Sequence, residues 1–429
     1  MESKKKDRGT GCRKLISNIF ALYILQGLNY IIPLAVLPYL VRTLGMERYG
    51  LVALSQSFAQ YFILFSDYGF NYSATRSIAK QRDDSIAVSG LFCTIILIKL
   101  VLAGLGFAIL IAIIGLVRPF QANSAFFFVA YLAVIGNVLF PVWYYQGIEQ
   151  MRYISIIIGI SRFIGAIALF VFVHHPQDAL LSLAIQSVTP IVGGVAGLWV
   201  IFHKFKVRFV WPAPAQLKSA LMEGWHLFVS TAAISLYTNT NVFLVGLLAG
   251  NLQAGYFSAA EKLLRGMQGL ITPITQAIFP HINSLAAKSR DNALQFTARI
   301  LRWMSAFSLT ASLLVFVYAE PLVTICFGHL ATESVPIVRW IAFLPFLIVV
   351  SNVLGVQIMV SFGLDKQFSR ILIFAGLFNL ALAIPLIKMF AARGAGASVL
   401  VTEFLVTVLM VVVLRHYNIR VFSPAGVPA

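Results

Sequence analysis

The sequence predicts an all-α polytopic membrane protein, with about twelve transmembrane helices in two six-helix lobes around a central cavity. Three observations predict it. Of 429 residues, 59% are hydrophobic and only 11% charged, where soluble domains carry about 25% charged residues. Apolar stretches of roughly 20 residues, enough for a helix to cross a hydrocarbon core, follow one another with short polar breaks. The basic residues cluster in alternate breaks, the pattern left by loops that resist translocation.

Taken in order, the expected spans are 15–40, 50–70, 88–117, 125–145, 154–173, 179–202, 225–248, 255–279, 303–327, 340–362, 371–387 and 395–414. The first follows a basic leader but runs on without a small-residue cleavage site, so it reads as a retained helix rather than a signal peptide. With the N-terminus inside, the cytoplasmic breaks hold Lys4, Lys5, Lys6, Arg8, Arg13, Lys14, Arg76, Lys80, Arg82, Arg152, Lys204, Lys206, Arg208, Lys218, Lys288, Arg290, Arg299, Arg302, Lys366, Arg370, Arg415 and Arg420. The outer breaks hold only Arg42, Arg48, Arg118, Arg339, Lys388 and Arg393. Both termini are therefore expected in the cytoplasm. Trp143, Trp199, Trp225, Trp303 and Trp340 fall at span ends, where an indole prefers the headgroup region.

The longest break, 203–224, contains Pro212-Ala213-Pro214 and divides the chain into halves. The expected organisation is a cytoplasmic segment 1–14, an N-lobe 15–202, a linker 203–224, a C-lobe 225–414 and a cytoplasmic tail 415–429. The halves echo each other: Leu44-Gly45-Met46-Glu47-Arg48-Tyr49-Gly50-Leu51 resembles Ala249-Gly250-Asn251-Leu252-Gln253-Ala254-Gly255-Tyr256, each between the first two helices of its lobe. Six helices per half suit the parallel repeats found in many transporters.

Composition also sets aside several functions. The net charge of +17 is spread over short loops rather than one soluble face, so it reflects topology and not nucleic-acid binding. Cys12, Cys93 and Cys326 are far apart, with no CxxC and no His at ligand spacing, so neither a disulfide framework nor a metal site is expected. GxxxxGK, HExxH and GxSxG are absent, and no cofactor is implied.

Ionisable groups within the hydrocarbon cost roughly 2.5 to 3.5 kcal/mol each, and they normally face a protein interior or a watery cavity. The candidates are Asp67, Lys99, Arg162, Glu261, Lys262, Arg265 and Glu403. Arg265 is about 15 Å into its helix at 1.5 Å per residue, near the midplane. Glu261 is one turn before it, so the two either form an internal ion pair or, with Lys262, leave net positive charge facing a cavity. Lys99 and Arg162, roughly 16 and 12 Å from their cytoplasmic ends, either snorkel or extend this cationic path. Such a path suits an anionic diphosphate headgroup. Asp67 and Glu403 either serve structural hydrogen bonds or bind a proton or Na⁺ whose entry drives a cycle. Pro33, Pro38 and Pro273 free backbone carbonyls and permit bending.

The run Gln26-Gly27-Leu28-Asn29-Tyr30-Ile31-Ile32-Pro33-Leu34, then Pro38-Tyr39-Leu40-Val41-Arg42-Thr43-Leu44-Gly45 with Tyr49-Gly50, resembles the Wzx-type O-antigen flippases. These form the polysaccharide-transport branch of the MOP exporter superfamily. The likeness continues through Asp67-Tyr68-Gly69-Phe70, Ser73-Ala74-Thr75-Arg76-Ser77-Ile78-Ala79, Trp143-Tyr144-Tyr145-Gln146-Gly147 with Glu149, and Ser258-Ala259-Ala260-Glu261-Lys262-Leu263. Beyond the eighth span it rests on helix number and length.

The resemblance implies a flippase in the bacterial inner membrane. It would move an undecaprenyl-diphosphate-linked oligosaccharide to the periplasmic leaflet, with H⁺ or Na⁺ as coupling ion, membrane lipids around it and a polysaccharide polymerase as a complex partner. Arg42, Asp67 and Arg76 carry over as motif positions, either meeting cargo or anchoring helix ends. Two other readings compete. A polymerase or ligase of the same lipid-linked units resembles its relatives in a large periplasmic loop, whereas here the outer loops are short. A drug or cation antiporter of the same superfamily implies a more acidic cavity and lacks the helix 1 motif.

Overall fold

A computed structural model describes residues 2–269, 271–286 and 288–419. The expectations for Lys4, Lys5, Lys6, Arg8, Cys12, Arg13, Lys14, the motif from Gln26 to Ile31 and Pro273 concern side chains outside this description, and Arg420 is outside it altogether. The described residues form helices and turns, with no strand among them. This is the solution that hydrocarbon imposes, because each helix satisfies its own backbone groups where no water can.

In chain order the helices are α1 (Glu2–Asp67), α2 (Phe70–Gln81), α3 (Ser85–Leu116), α4 (Arg118–Gln121), α5 (Ser124–Leu139), α6 (Val142–Gly147), α7 (Met151–Phe172), α8 (Ala179–His203), α9 (Pro214–Thr238), α10 (Thr240–Ala249), α11 (Asn251–Gly269), α12 (Thr272–Ala286), α13 (Arg290–Val317), α14 (Ala319–Phe327), α15 (Ser334–Ile341), α16 (Leu344–Asn352) and α17 (Asp365–His416). A π-helical stretch, Val353–Val360, continues α16. Two of these helices are broken. In α1 the break is at Gly45 (φ 72°, ψ 162°), in a region essentially reserved for glycine. In α17 it is at Ala391 (φ 50°, ψ −131°).

Among the described residues, seven helical stretches are long and apolar enough to cross a membrane: Ser85–Leu116, Ser124–Gly147, Met151–Phe172, Pro176–His203, Arg290–Val317, Ser334–Val360 and Asp365–His416. The last holds two expected spans, separated at Ala391. The chain is thus a multi-pass membrane protein. Most of expected span 1 concerns side chains outside this description, and expected spans 2, 7 and 8 are not among the seven. The reason differs from case to case: α9 and α10 meet at Asn239, and α11 carries Glu261, Lys262 and Arg265 before the turn at Ile271.

Contacts divide the chain into two units, and not at the expected linker. One comprises Tyr39–Gly255, the other Met1–Pro38 with Tyr256–Ala429. Much of 203–224 is ordered structure: α9 already starts at Pro214, and the preceding strand of chain is pinned to α3. There the Arg208 N–H donates to Ser89 Oγ at 3.2 Å, and the Val210 N–H to Cys93 Sγ at 3.4 Å.

In the unit Tyr39–Gly255, the core joins Phe70, Ala74 and Ile78 of α2 to Phe92, Ile95 and Ile98 of α3 and to Trp143, Tyr144 and Tyr145 of α6. Trp143 is 0% exposed, a correction to its expected place in the headgroup region. The short α6 tucks its aromatic run under α2 and α3, so burial among aromatic rings wins over the interface. Trp199, at 61% exposed, stacks on His203. α3 is started by Asp84, whose carboxylate accepts from the Ile86 and Ala87 N–H groups, two of the amides a helix start leaves without partners. α5 and α8 pack through small residues, since a Cβ on Gly136 would meet Pro190 at 2.6 Å.

In the other unit, the two halves of α17 lie against each other: Asn379 Nδ2 donates to Thr402 Oγ1 at 3.2 Å. A Cβ on Gly394 would come within 2.0 Å of the Leu386 carbonyl oxygen, so this turn closes only around glycine.

Candidate functional site

The glycines of the two motifs that echo each other in sequence meet in space, all within the unit Tyr39–Gly255. Gly250 (φ 90°, ψ 170°) repeats the conformation of Gly45, so each ends its helix in the same way. A Cβ on Gly50 would lie 1.8 Å from the Asn251 carbonyl oxygen, and one on Gly255 would lie 2.1 Å from that of Met46. The crossing is therefore reciprocal and brings backbone against backbone. A second close approach is set by Asp67-Tyr68-Gly69-Phe70. Tyr68 (φ 45°) and Gly69 (φ 77°) are left-handed, turning the chain from α1 into α2. The Tyr68 ring stacks on Phe228 at 5.0 Å, and Gly69 has no room for a Cβ beside Leu227.

Beside this turn, Lys99 Nζ donates to Asp67 Oδ1 at 2.7 Å. Lys99 is about 21 Å along α3 by helix rise and its side chain is 1% exposed, that of Asp67 19%. Asn137 on α5 offers both its carbonyl oxygen and its Oδ1 to Lys99 at 3.4 Å, and Asn71 Nδ2 donates to Asp67 Oδ2 at 3.3 Å. Of the two readings open for each residue, this geometry fits the structural one, in which each holds the other. The physical reason is mutual, because a buried charge costs several kcal/mol unless a partner and hydrogen bonds replace its water.

Glu261 and Arg265 form the internal pair that their spacing allows, 2.9 Å apart, with Arg265 46% and Glu261 16% exposed. Lys262 beside them is half-buried. Arg42 and Arg76 are exposed, as is Arg162, one position off the buried stripe Ile157, Ser161, Gly165 and Leu169 of α7. Glu403 is 2% exposed and accepts from Ser351 Oγ at 2.5 Å. Near it along the chain are Thr402 and its partner Asn379, both 0% exposed. On the π-helical stretch, Gln357 donates to the Thr275 carbonyl at 3.0 Å, and single-turn departures of this kind often mark functional positions.

Sequence reasoning missed Asn137, Asn71, Ser351 and Asn379. Each is a polar residue in or beside an apolar helix, which was the available signal, but Asn137 and Ser351 have their partners on other helices, Asn379 has its partner on the other half of α17, and Asn71 has its partner four residues away across the turn from α1 to α2. No group of His, Cys, Asp and Glu among the described residues has metal-holding geometry. The arrangement offers charge and hydrogen bonds for binding.

Residues 15–286 match the family described as "Polysaccharide biosynthesis protein". Two curated relatives are both named "Putative O-antigen transporter". The one from Escherichia coli K12 is 36% identical, covering 94% of this chain and 97% of its own length. The one from Shigella dysenteriae is 29% identical, covering 92% and 98%. Among solved structures, an inward-facing multidrug resistance MATE family transporter of the MOP superfamily aligns with a TM-score of 0.72 at 12% identity, covering 91% of this chain and 94% of that one. The lipid II flippase MurJ, in an inward closed conformation, aligns with a TM-score of 0.68 at 12% identity, covering 92% and 87%. The folds are alike. With a family match over most of its length and a relative of this identity across nearly all of it, the chain belongs to the polysaccharide biosynthesis protein family.

Proposed function

We propose that the chain is a transporter without covalent chemistry, a flippase that carries undecaprenyl-diphosphate-linked O-antigen or related repeat units from the cytoplasmic to the periplasmic leaflet of the inner membrane. The observation that carries the reading is the near full-length likeness to relatives named for O-antigen transport. The transport cycle is alternating access by twelve spans in two lobes. Spans 7 and 8, which break at Asn239 and carry Glu261, Lys262 and Arg265, face the path together with spans 1 and 2. Lys262 and Arg265 meet the diphosphate there, with Arg42 and Arg76 at the helix ends, because cationic donors replace part of an anion's lost hydration. The acids assigned to uptake of H⁺ or Na⁺ are Glu403, Asp67 and Glu261, of which Glu403 is buried inside α17.

The first test is the lipopolysaccharide profile of the host after deletion and complementation of the gene. A flippase null loses O-antigen altogether and regains it on complementation. A single repeat on each core would overturn the reading in favour of a polymerase. Arg265→Ala is expected to reduce transport at least tenfold with normal membrane insertion; full transport would remove Arg265 from the path. The likeness to a MATE transporter supports a second reading, a drug antiporter. An unchanged O-antigen ladder with altered drug sensitivity would favour it.

A further inference from the structure

A cleft of about 270 Å³ opens between α2, α3 and the start of α9, wholly within the unit Tyr39–Gly255. Each helix contributes one face. From α9 come Gln216, Ser219, Ala220 and Glu223, at i, i+3, i+4 and i+7; α2 and α3 add Ser73, Ala74, Ser77 and Gln81, and Ala87, Leu91, Thr94 and Ile95. Small side chains make the space, and hydroxyl and amide groups line it. Ser77 Oγ donates to Glu223 Oε2 at 3.5 Å across the gap between α2 and α9. Glu223 is the one ionisable residue among the lining groups, and no Lys or Arg is among them.

That chemistry selects its ligand. A diphosphate would meet a carboxylate and no cation. A sugar ring presents hydroxyls that both donate and accept, matching serine and threonine hydroxyls, the glutamine amides and a carboxylate. The volume is just under the roughly 300–1,000 Å³ of sites for drug-sized molecules, so it suits a single ring. Neighbouring the lining residues in sequence are Arg76, Lys80 and Lys218, which the charge pattern assigns to the cytoplasm. We propose that this cleft is a subsite for one neutral sugar of the lipid-linked cargo on the cytoplasmic side, separate from the groups that meet the diphosphate. The inference rests on the flippase reading for its cargo, but not for its chemistry.

The test uses the full-length protein in lipid nanodiscs with free glucose and N-acetylglucosamine as probes, read by saturation-transfer NMR, and inorganic diphosphate as competitor. Two variants are compared, Glu223→Gln, which keeps the shape, and Ser219→Trp, which fills the cleft from an exposed position. Wild type is expected to bind at least one sugar without competition from diphosphate. Glu223→Gln should weaken that binding at least fivefold, Ser219→Trp should abolish it, and both should lower O-antigen display by a similar factor at normal expression. No sugar binding, or binding untouched by both variants, overturns the subsite. Sugar binding lost with display unchanged overturns the cargo assignment and leaves a site for free cytoplasmic sugars. If wild-type protein fails to restore O-antigen while the binding pattern holds, the flippase reading falls and the sugar site stands.

Discussion

Asp67, where α1 ends, meets the buried ammonium of Lys99 at 2.7 Å, whereas Glu403, inside α17, meets the hydroxyl of Ser351 at 2.5 Å. Both carboxylates are among apolar helices, yet their surroundings differ in kind. Around Asp67 the elements supply a full opposite charge and finish the job with Asn71 and Asn137. Glu403 is bonded by the Ser351 hydroxyl, and its chain neighbour Thr402 is bonded by the Asn379 amide. The difference teaches that one chain can hold its buried acids by two kinds of bond. A carboxylate locked to a cation is part of the scaffold, since separating the pair strands a charge in low dielectric. Glu403, buried in α17 and bonded by the Ser351 hydroxyl, is the acid on which the proposed coupling role is tested first.

The largest effect should come from breaking the first arrangement. Lys99→Ala leaves Asp67 without its partner and is expected to destabilise the protein by about 3–5 kcal/mol, read as a lowered unfolding midpoint in detergent or as loss of folded material. The double variant Asp67→Asn with Lys99→Met removes both charges, and should recover most of that stability and retain transport. If the double variant folds but does not transport, the pair is part of the cycle and the contrast with Glu403 fails.

Next in size is Glu403→Gln, which keeps the shape and a hydrogen bond to Ser351. Its stability should stay within about 1 kcal/mol of wild type, while O-antigen display falls at least tenfold. Unchanged display would mean that Glu403 is as structural as Asp67. The smallest effect sharpens the comparison as a control. Ala391 holds the φ 50°, ψ −131° geometry of a type II′ turn, in which glycine is ordinarily found. Ala391→Gly should stabilise the hairpin carrying Glu403 by about 1 kcal/mol, visible as a higher midpoint, with transport unchanged. A lower midpoint would show that the alanine methyl group contributes more packing than its backbone strain costs.

Much of this molecule was legible from particular residues. Helices α3, α5, α7 and α8 follow from uninterrupted apolar runs, and the break at Gly45 and its echo at Gly250 from a short repeated motif. The Glu261–Arg265 pair followed from a spacing of one turn. The Asp67–Lys99 pair did not: its members are 32 residues apart on different helices, so no local spacing announces them. Trp143 was misplaced for the same reason, because an aromatic residue at a span end reads as an anchor until the helix packed over it is known. The cleft between α2, α3 and α9 was invisible as well; serine and alanine at helical spacing acquire meaning when three such faces converge.

The sequence by itself determined the solvent of this protein and its local structure. Apolar length, loop charge and glycine position act within one helix or one turn, where chain connectivity already fixes the neighbours. Only the tertiary structure decided which charges neutralise each other, which glycines must stay bare because another backbone passes at van der Waals distance, and where polar faces leave a cleft. Those are properties of pairs of helices brought together from distant parts of the chain. A buried charge or a missing Cβ is favourable or costly only through what the other helix presents to it.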